Sequence, residues 1–241
     1  MQGIIFDIEG KFAHFRKFYT NSSSLSYSIP PRTVLQGMLA AMFGLPRDSY
    51  YRKWNSDHLH IAVRKNGPTY SVTQTLNYIK AVSMGELRKP KEHTQIPFEL
   101  IVAVKKVSYR LYVSFENEAE TAELCERVRQ ERFVYPPVLG AAPFQADVTY
   151  VANAQFVKVE PEDFISVSTV LPVEIVKNIK VEEFALLKEK MPQDFGEDRK
   201  LLPARSYLLE NQGLPLKVQL RPASCCYSVQ YKENEEYITF L

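Results

Sequence analysis

The sequence predicts an α+β fold: a βαββαβ domain over residues 1–159, followed by a small, mostly antiparallel β-unit over residues 160–241. Three observations predict it. Apolar residues alternate in several stretches and recur at helical spacing in two others. These stretches run in the order strand 2–14, helix 31–43, strand 58–65, strand 109–115, helix 118–132 and strand 144–159, with extra hairpin material before the third strand. After Val159 the runs become short and β-prone, punctuated by Pro161, Pro172, Pro192, Pro203, Pro215 and Pro222. The first order is the ferredoxin-like plan, shared by RNA-recognition (RRM-like) domains.

Ile4, Phe6 and Ile8 alternate along the first strand. A cationic and aromatic run follows, with Phe12, His14, Phe15, Arg16, Lys17, Phe18 and Tyr19, and then a hydroxyl- and amide-rich loop from Thr20 to Ser28. Pro30 and Pro31 stop the extended chain. Proline suits a helix start, where its missing N–H would have had no partner anyway. Val34, Leu35, Met38, Leu39 and Met42 supply one apolar helix face, and Gly44 sits where a C-cap glycine belongs. Between Gly10 and Arg47 there is no acidic residue, only Lys11, Arg16, Lys17 and Arg32. Free N–H groups at a helix start favour anions, and aromatic or guanidinium planes suit unstacked bases.

Further on, Leu59, Ile61 and Val63 point inward, with His60, Ala62 and Arg64 outward. Asn66-Gly67-Pro68 signals a turn. Residues 69–79 form a β-prone run. Residues 80–95 lack a clean period and carry Gly85, Pro90, Lys80, Arg88, Lys89, Lys91 and His93, which reads as a protruding, cationic excursion. Residues 98–115 are strand-like. Glu118 and Glu120 lie in the first turn of the second helix, where its dipole favours them, and Leu124, Cys125 and Val128 form its stripe.

The chain is ordinary for a globular protein, with 45% hydrophobic and 24% charged residues. No apolar run is long enough for a transmembrane helix. The start carries Asp7 and Glu9 and lacks a basic n-region, which argues against a signal peptide. Three cysteines, two of them adjacent, fit a reducing cytoplasm. The net charge of +2 is unevenly spread. Residues 1–115 hold 16 Lys and Arg against 7 Asp and Glu, and residues 116–241 hold 14 against 21. Such a split suits a polyanion on one side of the molecule.

Motifs for nucleotide hydrolysis, zinc binding or an esterase elbow are missing from the sequence, and no cofactor is expected. Metal-free RNA cleavage would need a base, an acid and a cation. The available groups are His14, Tyr27, His58, His60, His93, Lys105 and Lys106. A small-anion-binding regulatory domain is a third possibility on the same residues.

The stretch with Gly10, Phe12, Ala13, Phe15, Arg16, Ser26, Tyr27, Pro30, Pro31, Arg32, Thr33, Leu35, Gly37, Leu39, Ala40 and Gly44 resembles the opening of the CRISPR-associated Cas-five proteins, subunits of the RNA-guided Cascade complex. Two later segments agree: His93-Thr94-Gln95-Ile96-Pro97, most like the type I-B branch, and Pro137-Val138-Leu139-Gly140. The resemblance implies a subunit without catalytic activity that caps the 5′ handle of the guide RNA. It also implies a β-hairpin thumb, about residues 77–97. Its neighbours would be a Cas-seven-type backbone subunit, a large Cas-eight-type subunit and, through the complex, target DNA. The RNA-binding set would be Arg16, Lys17, Tyr19, Ser22, Ser23, Ser24, Tyr27, Arg32, Thr33, Arg88, Lys89, Lys91, His93, Thr94 and Gln95. The type I-C branch cleaves RNA with a tyrosine and a Lys-His pair, and this chain has no Lys-His dipeptide.

Overall fold

A computed structural model describes residues 1–181 and 185–241. Its elements, in order, are β1 (Gln2–Gly10), β2 (Phe15–Arg16), β3 (Ser26–Tyr27), α1 (Arg32–Phe43), β4 (Leu59–Lys65), β5 (Tyr70–Lys80), α2 (Met84–Arg88), β6 (Glu92–Val102), β7 (Val107–Phe115), α3 (Glu118–Gln130) and β8 (Asp147–Val159). The second part holds β9 (Ile165–Val167), β10 (Leu171–Pro172), β11 (Val176–Ile179), β12 (Leu186–Met191), β13 (Arg205–Glu210), β14 (Leu216–Leu220), β15 (Cys226–Tyr231) and β16 (Asn234–Ile238).

One broad sheet dominates. Its nine strands run β11-β14-β9-β16-β15-β8-β1-β7-β4, and every pairing is antiparallel except β16 with β9. Five strands after Val159 (β9, β11, β14, β15 and β16) thus join the same sheet, with β15 bonded to β8. A three-stranded sheet, β10-β13-β12, lies beside it. The chain is therefore a mixed α/β fold with few helices.

The first helix starts and stops as its sequence dictates. Pro31 is extended at the N-cap, and Gly44 adopts a left-handed φ of 76° at the C-cap. Asn117 caps α3 by accepting the Ala119 N–H. Ile4, Phe6, Ile8, Ile61, Val63, Leu111 and Val113 form one core with Leu35, Leu39, Met42, Leu124 and Val128 of the two long helices.

Alternation alone misses the other face. Ile5, Ala62, Tyr112 and Phe156 are also buried, beneath Val229, Tyr231 and Ile238. Ala62, expected outward, is fully covered because the C-terminal strands carry their own apolar side chains onto that face. Strand β12, with the sequence LLKEKM, lacks the apolar alternation that marks a strand locally and is fixed by its pairing with β13. The first strand ends at Gly10 instead of residue 14, and the excursion of residues 80–95 is the far end of a longer hairpin. Strands β5 and β6 pair over eleven residues each, from Tyr70↔Val102 to Lys80↔Glu92, with α2 at the tip.

Candidate nucleic-acid interface

The loop after β1 and the hairpin are joined at one seam. Ala13 exchanges backbone hydrogen bonds with Ile101 at 3.0 and 2.8 Å. Ser24 N–H donates to Pro97 O at 2.8 Å, and Glu99 N–H donates back to Ser24 O at 2.9 Å. The Glu99 carboxylate accepts the Ser26 N–H at 2.7 Å. His14 closes the seam. Its Nδ1 lies 2.7 Å from Glu99 O, which can only accept, so Nδ1 carries the proton and Nε2 accepts from Ser24 Oγ at 3.0 Å. The ring stacks on Phe98 at 4.0 Å between centroids. Burial, the largest influence, holds its pKa below the ordinary histidine value, so the imidazole is neutral near pH 7.

Gly140 completes this corner. It has φ +88°, and a Cβ there would lie 2.0 Å from His14 O. Only glycine fits both the conformation and the approach. The neighbouring Leu139 O accepts the His14 N–H at 3.0 Å. The two motif segments are thus packed against each other.

Several residues expected at RNA are structural instead. Arg32 is 1% exposed. Its guanidinium donates to Asp194 Oδ1 at 2.5 Å, Leu59 O at 2.5 Å and Trp54 O at 3.3 Å. Asp194 also accepts the Ser56 N–H at 3.0 Å. This cluster ties α1 to the Trp54 turn, β4 and the C-terminal part, and leaves no reach toward a phosphate. Tyr27 is fully buried and donates its hydroxyl to Lys190 O at 2.7 Å, so no base can stack on its face. Thr33 and Ser24 are buried as well, as are Pro30 and Pro31 at the start of α1. The helix N-terminus therefore does not face solvent. Lys17 is half-buried. Burial pulls its pKa down, but the Glu189 carboxylate at 3.0 Å outweighs that and the net shift is upward.

The remaining expected residues are accessible. Arg16 is exposed, with Nη2 3.2 Å from Thr20 O. Tyr19 is 52% exposed and meets Phe18 edge-on, their centroids 5.2 Å apart. Ser22 is exposed and Ser23 half-exposed. On the hairpin, Arg88, Lys89, Lys91, His93, Thr94 and Gln95 are all exposed. The seam brings this loop crest and the foot of the hairpin together, while the hairpin cations lie at its far end. Glu99, Glu189 and Asp194, the acids that anchor the site, escape sequence reasoning because their partners are remote in the chain.

Several groups considered for RNA cleavage are engaged elsewhere, Tyr27 among them. Its hydroxyl is engaged, and burial, foremost, drives its pKa upward, so it is a poor base. His58 pairs with Glu116 and His60 packs on Phe240 at 5.2 Å. Lys106 pairs with Asp147 at 2.6 Å. Among the described residues, no three His, Cys, Asp or Glu side chains gather as a metal site.

Fold and site together define an α+β protein with one broad, mostly antiparallel sheet and a basic, aromatic loop locked to the foot of a projecting hairpin. The profile of the family described as CRISPR-associated protein (Cas_Cas5) matches residues 3–200, and the chain belongs to that family. Solved structures share the fold at low identity. A chain of a "CRISPR RNA-guided surveillance complex" is 16% identical with TM-score 0.53, covering 90% of this chain and 91% of its own. A CRISPR protein from Archaeoglobus fulgidus is 13% identical with TM-score 0.55, covering 98% of both chains. A chain of the type III-B Cmr-beta complex, bound to cognate target RNA and AMPPnP, is 13% identical with TM-score 0.52, covering 90% and 86%. A search of curated proteins by sequence returned no match. No described helix is long and apolar enough to cross a membrane.

Proposed function

We propose that this chain is a non-catalytic subunit of a type I CRISPR effector complex that binds and caps the 5′ handle of the guide RNA in the cytoplasm. The observation that supports this reading is the seam, which fixes the loop bearing exposed Arg16, Tyr19 and Ser22 to the foot of the hairpin whose far end bears the cations. Arg16 meets a handle phosphate, Tyr19 stacks on a splayed base, and Ser22 and Ser23 supply hydrogen bonds. Arg88, Lys89, Lys91 and His93 clamp from the hairpin. Phosphate contacts position the strand, and edge contacts specify it. Arg32, Tyr27, Ser24 and Thr33 leave the contact set and act as scaffold. Family membership supports a place beside a Cas-seven-type backbone and a Cas-eight-type large subunit, with target DNA reached through the complex. The His93 to Pro97 segment supports the type I-B branch. Strands β8-β1-β7-β4 with α1 and α3 are read as a ferredoxin-like unit, since β4 and β8 flank the central pair as that plan requires.

The test is incubation of the purified chain, in EDTA, with a labelled full repeat RNA and with its 3′-terminal handle, across a salt series. Tight, salt-sensitive handle binding with intact RNA is expected. Cleavage at one position would instead make the chain a metal-independent processing ribonuclease.

A further inference from the structure

The long edges of the described residues are covered or broken by charge, proline or irregularity, except β5; β6, for instance, is bonded to Ala13 and Ser24 over Pro97–Ile101 and carries Glu92, Pro97 and Glu99. The β4 edge of the broad sheet is covered: Ile61 O and Val63 O accept the N–H groups of Leu241 and Val170, each at 2.9 Å. The opposite edge, β11, is four residues long and interrupted by a register shift. Strand β12 carries Lys188, Glu189 and Lys190, and the last two are engaged by Lys17 and Tyr27. Charge, shortness, irregularity and cover are the usual protections of an edge. Strand β5 has none of them. It is eleven residues long, pairs with β6 alone, and shows no backbone hydrogen bond to any other described segment. From Asn66 through Ile79 it offers no charge and, after Pro68, no proline.

Its side chains are also amphipathic across the hairpin. Directly opposed residues share a face. One face holds Tyr70, Val72, Gln74, Leu76 and Tyr78 opposite Val102, Leu100, Phe98, Ile96 and Thr94, apolar but for Gln74 and Thr94. Tyr70, Val72 and Tyr78 are 54%, 47% and 46% exposed. The other face carries Ser71, Thr73, Thr75 and Asn77, with Ile79 its one apolar residue, near the tip. An isolated two-stranded ribbon with an open apolar face gains most from a third strand.

We propose that the free edge of β5 takes up an extended segment of a protein partner as an added strand. The partner segment is apolar at alternate positions and acidic at the end beside the hairpin tip. Backbone hydrogen bonds would give affinity, and alternate apolar side chains beside Val72, Leu76 and Tyr78 would give register. The acidic end answers Arg88, Lys89 and Lys91, which are exposed at the tip. RNA does not fit this edge, because a phosphate chain would meet no cation between Lys65 and Lys80. The inference stands on the open β5 edge; it shares the tip cations Arg88, Lys89 and Lys91 with the proposed handle clamp, so the peptide experiment is run without RNA and its outcome is read apart from handle binding.

The probe is an acetylated synthetic peptide of alternating valine and threonine led by two glutamates, which in antiparallel register places its acids at the tip. Amide hydrogen exchange of residues 70–80 is followed in the intact chain. We expect the peptide to slow exchange of the outward β5 amides by about tenfold or more. The same peptide N-methylated at alternate residues should have no effect, and Val72→Lys should weaken protection while leaving the fold intact. Unchanged β5 exchange would overturn the proposal, as would equal action of the N-methylated peptide. Protection that rises with protein concentration alone would assign the edge to a second copy, and protection by handle RNA alone would assign it to nucleic acid; either overturns it.

Discussion

The loop of residues 11–31 and the hairpin of β5 and β6 carry the same kinds of side chain: hydroxyls, amides, rings and cations. In the loop most of them are turned inward. His14, Ser24, Ser26, Tyr27 and Arg32 are buried and hydrogen-bonded to Glu99, Lys190 O or Asp194. In the hairpin nearly every side chain from Tyr70 to Gln95 is exposed, and the strands are held by each other and by the seam at Pro97 to Ile101. One region is a scaffold with a thin exposed crest, and the other is an exposed arm. Similar residue chemistry therefore does not imply similar work, because burial decides which polar groups remain available to a ligand.

The contrast breaks most sharply at Arg32. Arg32→Ala leaves Asp194 buried without its cation, a loss of about 3–5 kcal/mol. Arg16→Ala, at an exposed position, should stay within about 0.5 kcal/mol. Urea unfolding of both variants measures the difference directly. Equal, small losses would mean that Arg32 is not the staple between α1 and the C-terminal part.

Next comes Gly140→Ala. The left-handed φ and the 2.0 Å approach to His14 O leave no room for a methyl group. A loss of about 2 kcal/mol or more is expected, with displacement of the loop. By comparison Gly67→Ala, whose Cβ would meet nothing, should be nearly neutral. Thermal unfolding of the pair reads this.

The smallest effect is a pH dependence. Burial holds the His14 pKa below its ordinary value of 6.5, the value the unfolded chain retains. Between those two values the unfolded chain binds the extra proton, so stability is full above about pH 6.5 and falls as pH drops toward the folded value. His60 shifts the same way, again mainly by burial. His14→Gln should therefore show a shallower loss of stability than wild type between neutral and mildly acid pH, with the residual slope carried in part by His60. An unchanged slope would mean that the seam histidine titrates as in solvent.

These outcomes also mark what could be read from the chain itself. Helix α1 was legible because its signals are local: Pro31 opens it, Gly44 closes it, and Leu35, Met38, Leu39 and Met42 share a face. Arg32 was not, because its partner Asp194 lies 162 positions away, and an arginine at a helix start looks the same whether it meets a phosphate or a buried carboxylate. The burial of Ala62 was hidden because its cover comes from the far end of the chain. The hairpin was underestimated because its strands alternate apolar and polar residues as any half-buried strand does, and nothing local says that the apolar side is open. Arg16, Tyr19 and Lys91, which the structure leaves exposed, were the readable part of the candidate site. The acids that hold it together were the unreadable part.

The central claim is that the exposed crest touches RNA and the buried motif residues only hold it in place. The most direct test is the salt dependence of handle affinity for wild type, Arg16→Ala and Tyr27→Phe. Each lost phosphate contact on a single strand lowers the slope of log K against log salt by about 0.7. The account predicts that reduction, with weaker binding, for Arg16→Ala, and an unchanged slope and affinity for Tyr27→Phe. Weakened binding in Tyr27→Phe alongside an unaffected Arg16→Ala would contradict it.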